Sequence, residues 1–326
     1  MMITTTQLAR SALTVALAML SLGSAAQTPY PSKPVTLVVP FAPGGIADLT
    51  ARAVAEHMAK TLGQAVVVDN RPSAGAIVAT DWVAKAAPDG YTLLLMSNSN
   101  ALSATFFKKL PFDVQRDFAP ISTLGFFDIG IFVASQAQWA TLPELLMAAK
   151  RQPGKLTAGT IAVGSTQHLA AEYFKTAAGV DLLIVPYKGT PAVQTALRAG
   201  EVDLAFEIVG PMLAQVASGD VKVLAVSSDK RNPALPKIPT ASEAGVTGYN
   251  LASWNALAAP AGTPVEVIDK LNRAARDAVA SPAVQGRLDK LGMRLQSSTP
   301  QQMGVLLASE IKRWGEVIRA ARIEPE

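Results

Sequence analysis

The chain has 326 residues, of which 49% are hydrophobic and 17% charged, a composition typical of a globular protein with room for two cores or one large one. Its net charge of +4 comes from 29 basic residues scattered among few aromatics (6%), which argues against a nucleic-acid surface. The absence of cysteine excludes disulfides, thiolate metal sites, a cysteine nucleophile and a lipidated-cysteine anchor.

The first residues have the layout of a secretory signal peptide. A polar segment ending at Arg10 precedes an apolar run from Ser11 to Leu22. The run Ser24-Ala25-Ala26 then supplies the small residues of a cleavage site before Gln27. We expect residues 1–26 to be removed and the mature protein to be periplasmic. A membrane anchor is the alternative, which the shortness of the apolar run disfavours.

Short β-rich runs then alternate with helical stretches, a pattern that predicts an α/β protein with largely parallel sheets. The first series is strand, helix, strand, helix, strand at residues 35–40, 45–62, 65–69, 74–87 and 91–96. The second series alternates helix and strand at residues 141–150, 155–161, 166–178, 182–185, 191–199 and 202–206, and a helix and the strand 221–227 follow. Two series with separate openings predict two sheets.

The C-terminal region is mostly helical. Thr263-Pro264-Val265-Glu266 and Thr299-Pro300-Gln301-Gln302 each place a cap, a proline at the first helical position and an acceptor two residues later. We expect these helices to return to the first domain, with chain crossings near residues 125–128 and 248–253 that form a hinge. The predicted lobes are residues 27–127 with 252–326, and residues 128–251. A hinge between two α/β lobes makes a cleft.

A strand-to-helix junction with two glycines follows the first predicted strand. Ligands of parallel α/β sheets bind at the carboxyl ends of strands, and a helix N-terminus there offers unpaired N–H groups. Gly44 and Gly45 would let an anion approach the backbone closely. An ordinary tight turn fits the spacing equally well, because Asp48 at the third helical position offsets the same dipole. The candidate ligand-binding residues here are Phe41, Ala42, Gly44, Gly45, Ile46, Ala47 and Asp48.

A second junction of this kind lies at Gly164-Ser165-Thr166-Gln167-His168. Ser165 is a natural N-cap, and His168 stands where a capping box would place Glu or Gln. The first turn therefore carries no carboxylate, and its N–H groups remain available to an outside anion. The alternative is an ordinary serine-capped helix with a locally packed histidine. The candidate ligand-binding residues here are Gly164, Ser165, Thr166 and His168.

Enzymatic signatures are sparse. The two histidines, His57 and His168, form no metal-binding motif, and Ser165 lacks the G-x-S-x-G elbow of hydrolases. We expect no enzymatic activity, no metal and no cofactor. A secreted hydrolase that uses Ser165 and His168 is the competing hypothesis.

Short motifs occur in order along nearly the whole mature length. They are the residues 30–34, 38–48, 62–64, 70–72, 88–92, 164–169, 185–189, 239–245 and 259–264, reading YPSKP, VVPFAPGGIAD, LGQ, NRP, PDGYT, GSTQHL, VPYKG, PTASEAG and APAGTP. Through these motifs the chain resembles the solute receptors of tripartite tricarboxylate transporters, the Bug family.

The resemblance implies a two-lobed type II periplasmic-binding-protein fold that closes like a flytrap. It implies that two glycine-containing loops, matching residues 41–48 and 164–168, hold a ligand carboxylate largely through backbone groups and ordered water. Family members bind di- and tricarboxylates, acidic amino acids or aromatic acids, and deliver them to small and large membrane subunits, although some serve sensing instead. We expect a monomer with this function. The sequence does not predict which acid is bound, because backbone and water contacts recognise the carboxylate and carry little information about the rest of the ligand.

Further candidates and two departures follow from the resemblance. Residues 73–76, Ser-Ala-Gly-Ala, replace a common Gly-Ala-Gly-Gly and are expected to reshape that edge of the cleft. Glu207 replaces a common Asp; it either meets a ligand ammonium or hydroxyl, repels a second carboxylate, or is only a rim carboxylate. Tyr187 either contacts the distal part of the ligand or belongs to the core. Ser97 and Asn98 either bind ligand oxygens or form a turn.

Overall fold

Two β-sheets that share one long strand form the framework of the protein. The structure is a computed structural model and describes residues 29–320 and 323–324. The signal peptide expected over residues 1–26 and its cleavage site lie outside the described residues. The folded unit that contains both sheets starts at Lys33, and residues 29–32 precede it.

The expected alternation of strands and helices is present, with bounds that differ by a few residues. The strands are β1 (Val35–Val39), β2 (Val66–Asn70), β3 (Thr92–Ser97), β4 (Phe118–Ala134), β5 (Thr157–Ile161), β6 (Leu183–Tyr187), β7 (Leu204–Ile208), β8 (Val221–Val226), β9 (Ala252–Pro260) and β10 (Arg294–Leu295). The helices are α1 (Ile46–Leu62), α2 (Ile77–Ala84), α3 (Asn98–Phe106), α4 (Leu142–Arg151), α5 (Thr166–Ala178), α6 (Thr190–Ala199), α7 (Val209–Ser218), α8 (Val265–Ala280), α9 (Pro282–Leu288) and α10 (Pro300–Ala320). One-turn 3-10 helices lie at Ala74–Ala76 and Asp289–Leu291.

Each sheet combines parallel and antiparallel strands. In the first sheet β1 pairs in parallel with β2 and β3, and β9 pairs antiparallel with β3 and β4. In the second sheet β5 pairs in parallel with β6 and β7, while β4 pairs antiparallel with β7 and β8. The parallel triplets are those the β-α alternation predicts. They bring the carboxyl ends of β1 and β3, and of β5, β6 and β7, to one edge of each sheet.

Strand β4 joins the two sheets. Its residues 118–128 pair with β9 in the first sheet, and residues 129–134 pair with β7 and β8 in the second. The chain returns at Leu251, whose N–H donates to the Ser227 carbonyl at 2.9 Å immediately before β9 begins. These connections lie at or beside the two segments expected to form a hinge.

Each sheet has its own buried cluster. In the first, Trp254 of β9 packs with Met303 of α10 in a cluster that also contains residues of β1 and β3. In the second, Phe132 of β4 packs with Val193 of α6 and Met212 of α7. Each sheet thus contributes to a buried cluster of its own within the described residues, and the two sheets are those that the two β-α series predict.

The C-terminal helices pack on the first sheet. Helix α8 contacts α1 and β4, and α10 contacts α3 and β4. The apolar positions of α8 that recur at helical spacing are buried; they are Ile268, Leu271, Ala275 and Val279. The C-terminal helices thus complete the core that the first strands begin.

Two local predictions were inaccurate for reasons of backbone conformation. The helix expected over residues 74–87 starts as a 3-10 turn, because Gly75 and Ala76 have φ values of 59° and 63°, and α2 ends at Ala84. Ala76 is buried at this left-handed position, where an L side chain is uncommon. Asn98, expected in a turn or at the ligand, instead begins α3.

The helix caps follow the sequence in part. Thr299 and Gln302 form the expected reciprocal cap, because each side chain bonds the other's backbone N–H. At α4 the Thr141 hydroxyl accepts from the Glu144 N–H, but the Glu144 carboxylate accepts from the N–H of Ala140. The cap expected at Thr263 is wrong, because its hydroxyl donates to the Pro260 carbonyl at 2.8 Å.

The contact between Gly210 and Leu291 predicts a marked loss of stability in Gly210→Ala. A Cβ at Gly210 would clash with the Leu291 carbonyl oxygen, so the backbone would have to move. We expect a loss of about 1–3 kcal/mol, typical of overpacking, measured as a lower thermal midpoint. The control is Gly286→Ala in α9, where a Cβ meets nothing within 4 Å. Equal midpoints for the two variants would contradict the packing described.

Candidate functional site

A cavity of about 550 Å³ lies between the two sheets, at the carboxyl ends of their parallel strands. This volume lies within the range of small-molecule sites. The first sheet and its loops contribute Phe41, Gly45, Ser97, Phe127 and Asn255, among others, and the second contributes Ile161, Gln167, Tyr187, Thr190 and Ile208, among others. Apolar side chains and backbone make up much of the wall, so its few polar groups decide what it can hold.

The N-terminus of α1 borders this cavity. Gly45 is its N-cap, with no side-chain hydrogen bond to the first turn, and Gly45, Ile46 and Ala47 line the wall. The first N–H groups of a helix have no intrahelical partner. An anion in the cavity would therefore meet unpaired donors and the positive end of the helix dipole.

Asp48 holds this loop from behind and does not line the cavity. Its carboxylate accepts hydrogen bonds from the Gly44 N–H, from Arg52 and from Asn70, at 3.0–3.1 Å. The Asn70 amide also donates to the Phe41 carbonyl at 3.0 Å. Burial raises the pKa of Asp48, but these hydrogen bonds outweigh that effect and hold the pKa below its ordinary value. Asp48 is therefore an ionised anchor for the Gly44–Gly45 turn.

The N-terminus of α5 borders the cavity from the second sheet. The Ser165 hydroxyl caps it by accepting from the His168 N–H at 3.1 Å, and it donates to the Ile161 carbonyl at 3.1 Å. Thr166 and Gln167 line the wall. The cap predicted from the sequence is confirmed, and it leaves no carboxylate in the first turn of α5.

Ser165 and His168 do not form a catalytic pair. Ser165 contacts the backbone N–H of His168, and the imidazole Nδ1 is buried without a partner among the described residues. Burial, with a contribution from Lys175, lowers the pKa of His168 to about 4. A neutral imidazole that does not reach the hydroxyl cannot activate it as a base, so the hydrolase hypothesis has no geometric support.

The two sheets touch on either side of the cavity. The Gly75 N–H donates to the Val163 carbonyl at 2.9 Å, and the hydroxyls of Thr166 and Ser253 lie 3.2 Å apart. Near Gly45, a Cβ would lie 3.4 Å from the Thr190 hydroxyl of α6. The cavity is thus bounded by direct contacts between the two halves.

Glu207 lies behind the cavity wall. It is fully buried, which excludes the rim position, and its Oε1 accepts from Gln167 Nε2 at 2.8 Å and from the Ile208 N–H at 2.7 Å. Its Oε2 makes no hydrogen bond within the described part of the chain, although the nearby Thr190 side chain opposes part of the effect of burial on the pKa. Burial raises the pKa of Glu207 to about 7. Gln167, not Glu207, therefore lines the cavity at this position.

The predicted site residues divide into those at the wall and those behind it. The wall includes Phe41, Ala42, Gly45, Ile46, Ala47, Ser97, Thr166 and Tyr187. Gly44, Asp48, Asn98, Gly164, Ser165, His168 and Glu207 do not line it. Asn98 accepts from the Trp314 indole at 2.9 Å, which places it in the core. Tyr187 is half-buried at the wall.

Several wall residues were not anticipated. Ser253 and Asn255 of β9 belong to this group, as does Thr190 of α6; Gln167 lies in the expected loop, but its side chain was not singled out. The sequence signal for Asn255 was its position as a polar residue between Trp254 and the apolar run that begins at Ala256. Of the two side chains that depart from the family pattern, Ser73 lines the wall, whereas Ala76 is buried and does not.

The described residues contain no cluster of three or more histidine, aspartate or glutamate side chains suited to a metal ion. Within the same ranges, no helix has the length and apolar character needed to cross a bilayer.

The buried carboxyl of Glu207 predicts a specific pH dependence of stability. Its pKa is raised in the folded state, so the folded protein binds a proton that the unfolded chain releases near its ordinary pKa. Stability should therefore fall as pH rises from about 5 to about 8, and this slope should be shallower in Glu207→Gln. Chemical denaturation of both proteins at several pH values measures it. Parallel profiles would contradict the assignment.

Comparison with known proteins places this geometry in a family. The family model described as the tripartite tricarboxylate transporter family receptor matches residues 50–323. The periplasmic binding protein BugD is 34% identical, with a TM-score of 0.87 over 91% of this chain and 100% of its own. The structure of Rpa4515 from R. palustris with adipate is 34% identical, with a TM-score of 0.88 over 91% of this chain and 100% of its own.

A third solved structure is similar over the same extent. MatC from Rhodopseudomonas palustris, with bound malate, is 32% identical, with a TM-score of 0.84 over 89% of this chain and 100% of its own. These matches confirm the mixed α/β periplasmic-binding-protein fold and the non-enzymatic class expected from the sequence. The chain belongs to the tripartite tricarboxylate transporter receptor family, also called the TctC or Bug family.

Proposed function

We propose that this protein is a periplasmic receptor that captures a small organic carboxylate between its two lobes and delivers it to the membrane subunits of a tripartite transporter. The observation that carries the proposal is the meeting of two helix N-termini, those of α1 and α5, at one cavity of about 550 Å³. The similar proteins Rpa4515 and MatC hold adipate and malate, which supports a carboxylate as the ligand class.

The proposed grip on the carboxylate is made by backbone. Its oxygens would accept hydrogen bonds from N–H groups of residues 45–47 on one side and of Thr166 and Gln167 on the other. Hydrogen bonds to charged groups contribute about 1.5–3 kcal/mol each, so a few suffice for micromolar binding after ordering costs. Lys188 also reaches the wall, but it is exposed and adds only screened charge at the mouth.

We further propose that the two sheets are the cores of two lobes, residues 27–127 with 252–326 and residues 128–251, which close on the ligand. The sheets are joined by β4 and by the segment that enters β9. The contacts between Gly75 and Val163 and between Thr166 and Ser253 are those that closure would form and opening would break.

The same proposal gives the cellular location of the protein and its partners. A signal peptide over residues 1–26 would export the chain, and BugD is likewise described as a periplasmic binding protein. The membrane subunits are the partners that the family description implies. We expect the receptor to act as a monomer, because one chain supplies both sides of the cavity.

A ligand screen tests the proposal directly. Mono-, di- and tricarboxylates, acidic amino acids and aromatic acids are tested by thermal shift and then by calorimetry on the purified mature protein. A true ligand at about 100 times its Kd should stabilise the fold by roughly 2.7 kcal/mol, which raises the thermal midpoint by several degrees. No stabilisation by any acid, or consumption of an acid by the protein, would contradict a receptor function.

The anchor role of Asp48 gives a second prediction. In Asp48→Asn the charge-assisted bonds to Arg52 and to the Gly44 N–H are weakened, so the α1 loop is held less firmly. We expect acid affinity to fall about tenfold, the equivalent of one such bond, by calorimetry. The control is Glu56→Gln, which removes an exposed pair with Arg287 and should leave affinity unchanged. Unchanged affinity in the Asp48 variant would show that the loop needs no anchor.

A further inference from the structure

Asn255 is a buried amide whose polar atoms have no partner in the part of the chain that the structure describes. Its exposure is 1%, and neither Oδ1 nor Nδ2 makes a hydrogen bond with any described residue. It lines the cavity from β9. Buried polar side chains are hydrogen-bonded in the large majority of cases, so both atoms together point to a partner that binds from outside.

The register of β9 places this side chain on the cavity face. Ser253 and Asn255 line the wall, whereas Trp254 between them lies in the core cluster of the first sheet. The cross-strand neighbours do not satisfy the amide. Opposite it on β3 is Ser97, whose hydroxyl caps α3, and opposite it on β4 is Gly125, which has no side chain.

Gln167 presents a second fixed polar atom to the same cavity. Its Nε2 donates to Glu207 Oε1, and that oxygen also accepts the Ile208 N–H. Because Oε1 accepts two donors, a proton on Glu207 would sit on Oε2, so the Gln167 amide keeps its orientation in either protonation state. The atom that Gln167 leaves for the cavity is its carbonyl oxygen, which is an acceptor.

We propose that Asn255 and Gln167 form a specificity subsite for an uncharged hydrogen-bond donor, so that the preferred ligand is a carboxylate bearing a hydroxyl group. This inference rests on the proposed function and names the ligand class more closely. A hydroxyl can donate to an amide oxygen and accept from Asn255 Nδ2. A second carboxylate offers only acceptors, so it could pair with Asn255 Nδ2 but would also face the oxygens of both amides, with the buried Glu207 beyond Gln167. An ammonium would leave Asn255 Nδ2 unpaired.

The test compares acids that differ by one hydroxyl. The probes are butyrate with 3-hydroxybutyrate, benzoate with 3- and 4-hydroxybenzoate, and succinate as the dicarboxylate, each titrated by calorimetry. In at least one pair the hydroxylated acid should bind about tenfold tighter or more, because the acid that lacks the hydroxyl leaves the buried amide atoms unpaired. No hydroxyl preference in any pair would overturn the inference.

A substitution separates this subsite from the carboxylate grip. In Asn255→Leu the ratio of the affinities for the hydroxylated and unhydroxylated acids should fall close to one. The unhydroxylated acid should bind at least as well as it does to the parent protein. A preference that survives unchanged in Asn255→Leu would overturn the assignment to this residue. Should the leucine variant fold poorly, Asn255→Ala carries the same expectation.

The matched control is Asn272→Ala. Asn272 is also buried, but its amide donates to the carbonyls of Ile121 and Ser298 and it does not line the cavity. We expect a lower thermal midpoint with an unchanged hydroxyl preference. The ligand-free Asn255→Leu protein should instead be as stable as the parent or more so, since no internal hydrogen bond is lost. If no acid of any kind binds, the proposed function fails and this inference with it; if acids bind without hydroxyl preference, only this inference fails.

Discussion

Unpaired amide hydrogens at the starts of α1 and α5 are the feature on which the proposed ligand binding depends. A carboxylate taken out of water loses strong hydration, and a receptor must replace it with donors that are already in place. Helix N-termini supply such donors without an ordering cost in side chains, and they carry the favourable end of the helix dipole. The sheets serve this arrangement, because parallel strands bring both helix starts to the edge where the cavity lies.

The two helix starts are held in different ways. At α1 the N-cap is Gly45, which has no side chain to occupy the amides, so the loop is held from behind by Asp48. Arg52 and Asn70 share the charge of that carboxylate, which limits its effect on an anion in the cavity. At α5 the Ser165 hydroxyl caps one amide and ties the turn to β5 through Ile161. In both cases the side chain fixes the backbone of the helix start and leaves the amides that face the cavity without a side-chain cap.

Sequence reasoning recovered what depends on local physics. Periodicity gave the β-α series, capping chemistry gave Ser165 and Thr299, and the glycine pair identified the α1 junction. It did not recover features set by distant parts of the chain. Whether Asp48 faces a ligand or Arg52 depends on side-chain direction in the first turn, and the burial of Glu207 depends on the packing of α5 over β7. Asn255 was missed because β9 pairs with β3 and β4, which are far from it in sequence.

The central claim is about where the carboxylate sits, and a crystal structure with the most stabilising acid tests it most directly. We predict carboxylate oxygens within hydrogen-bond distance, about 3.2 Å or less, of backbone nitrogens in the first turns of both α1 and α5. A carboxylate held instead by Lys188 or another side chain, with those amides facing water or separated by an open cleft, would contradict the account.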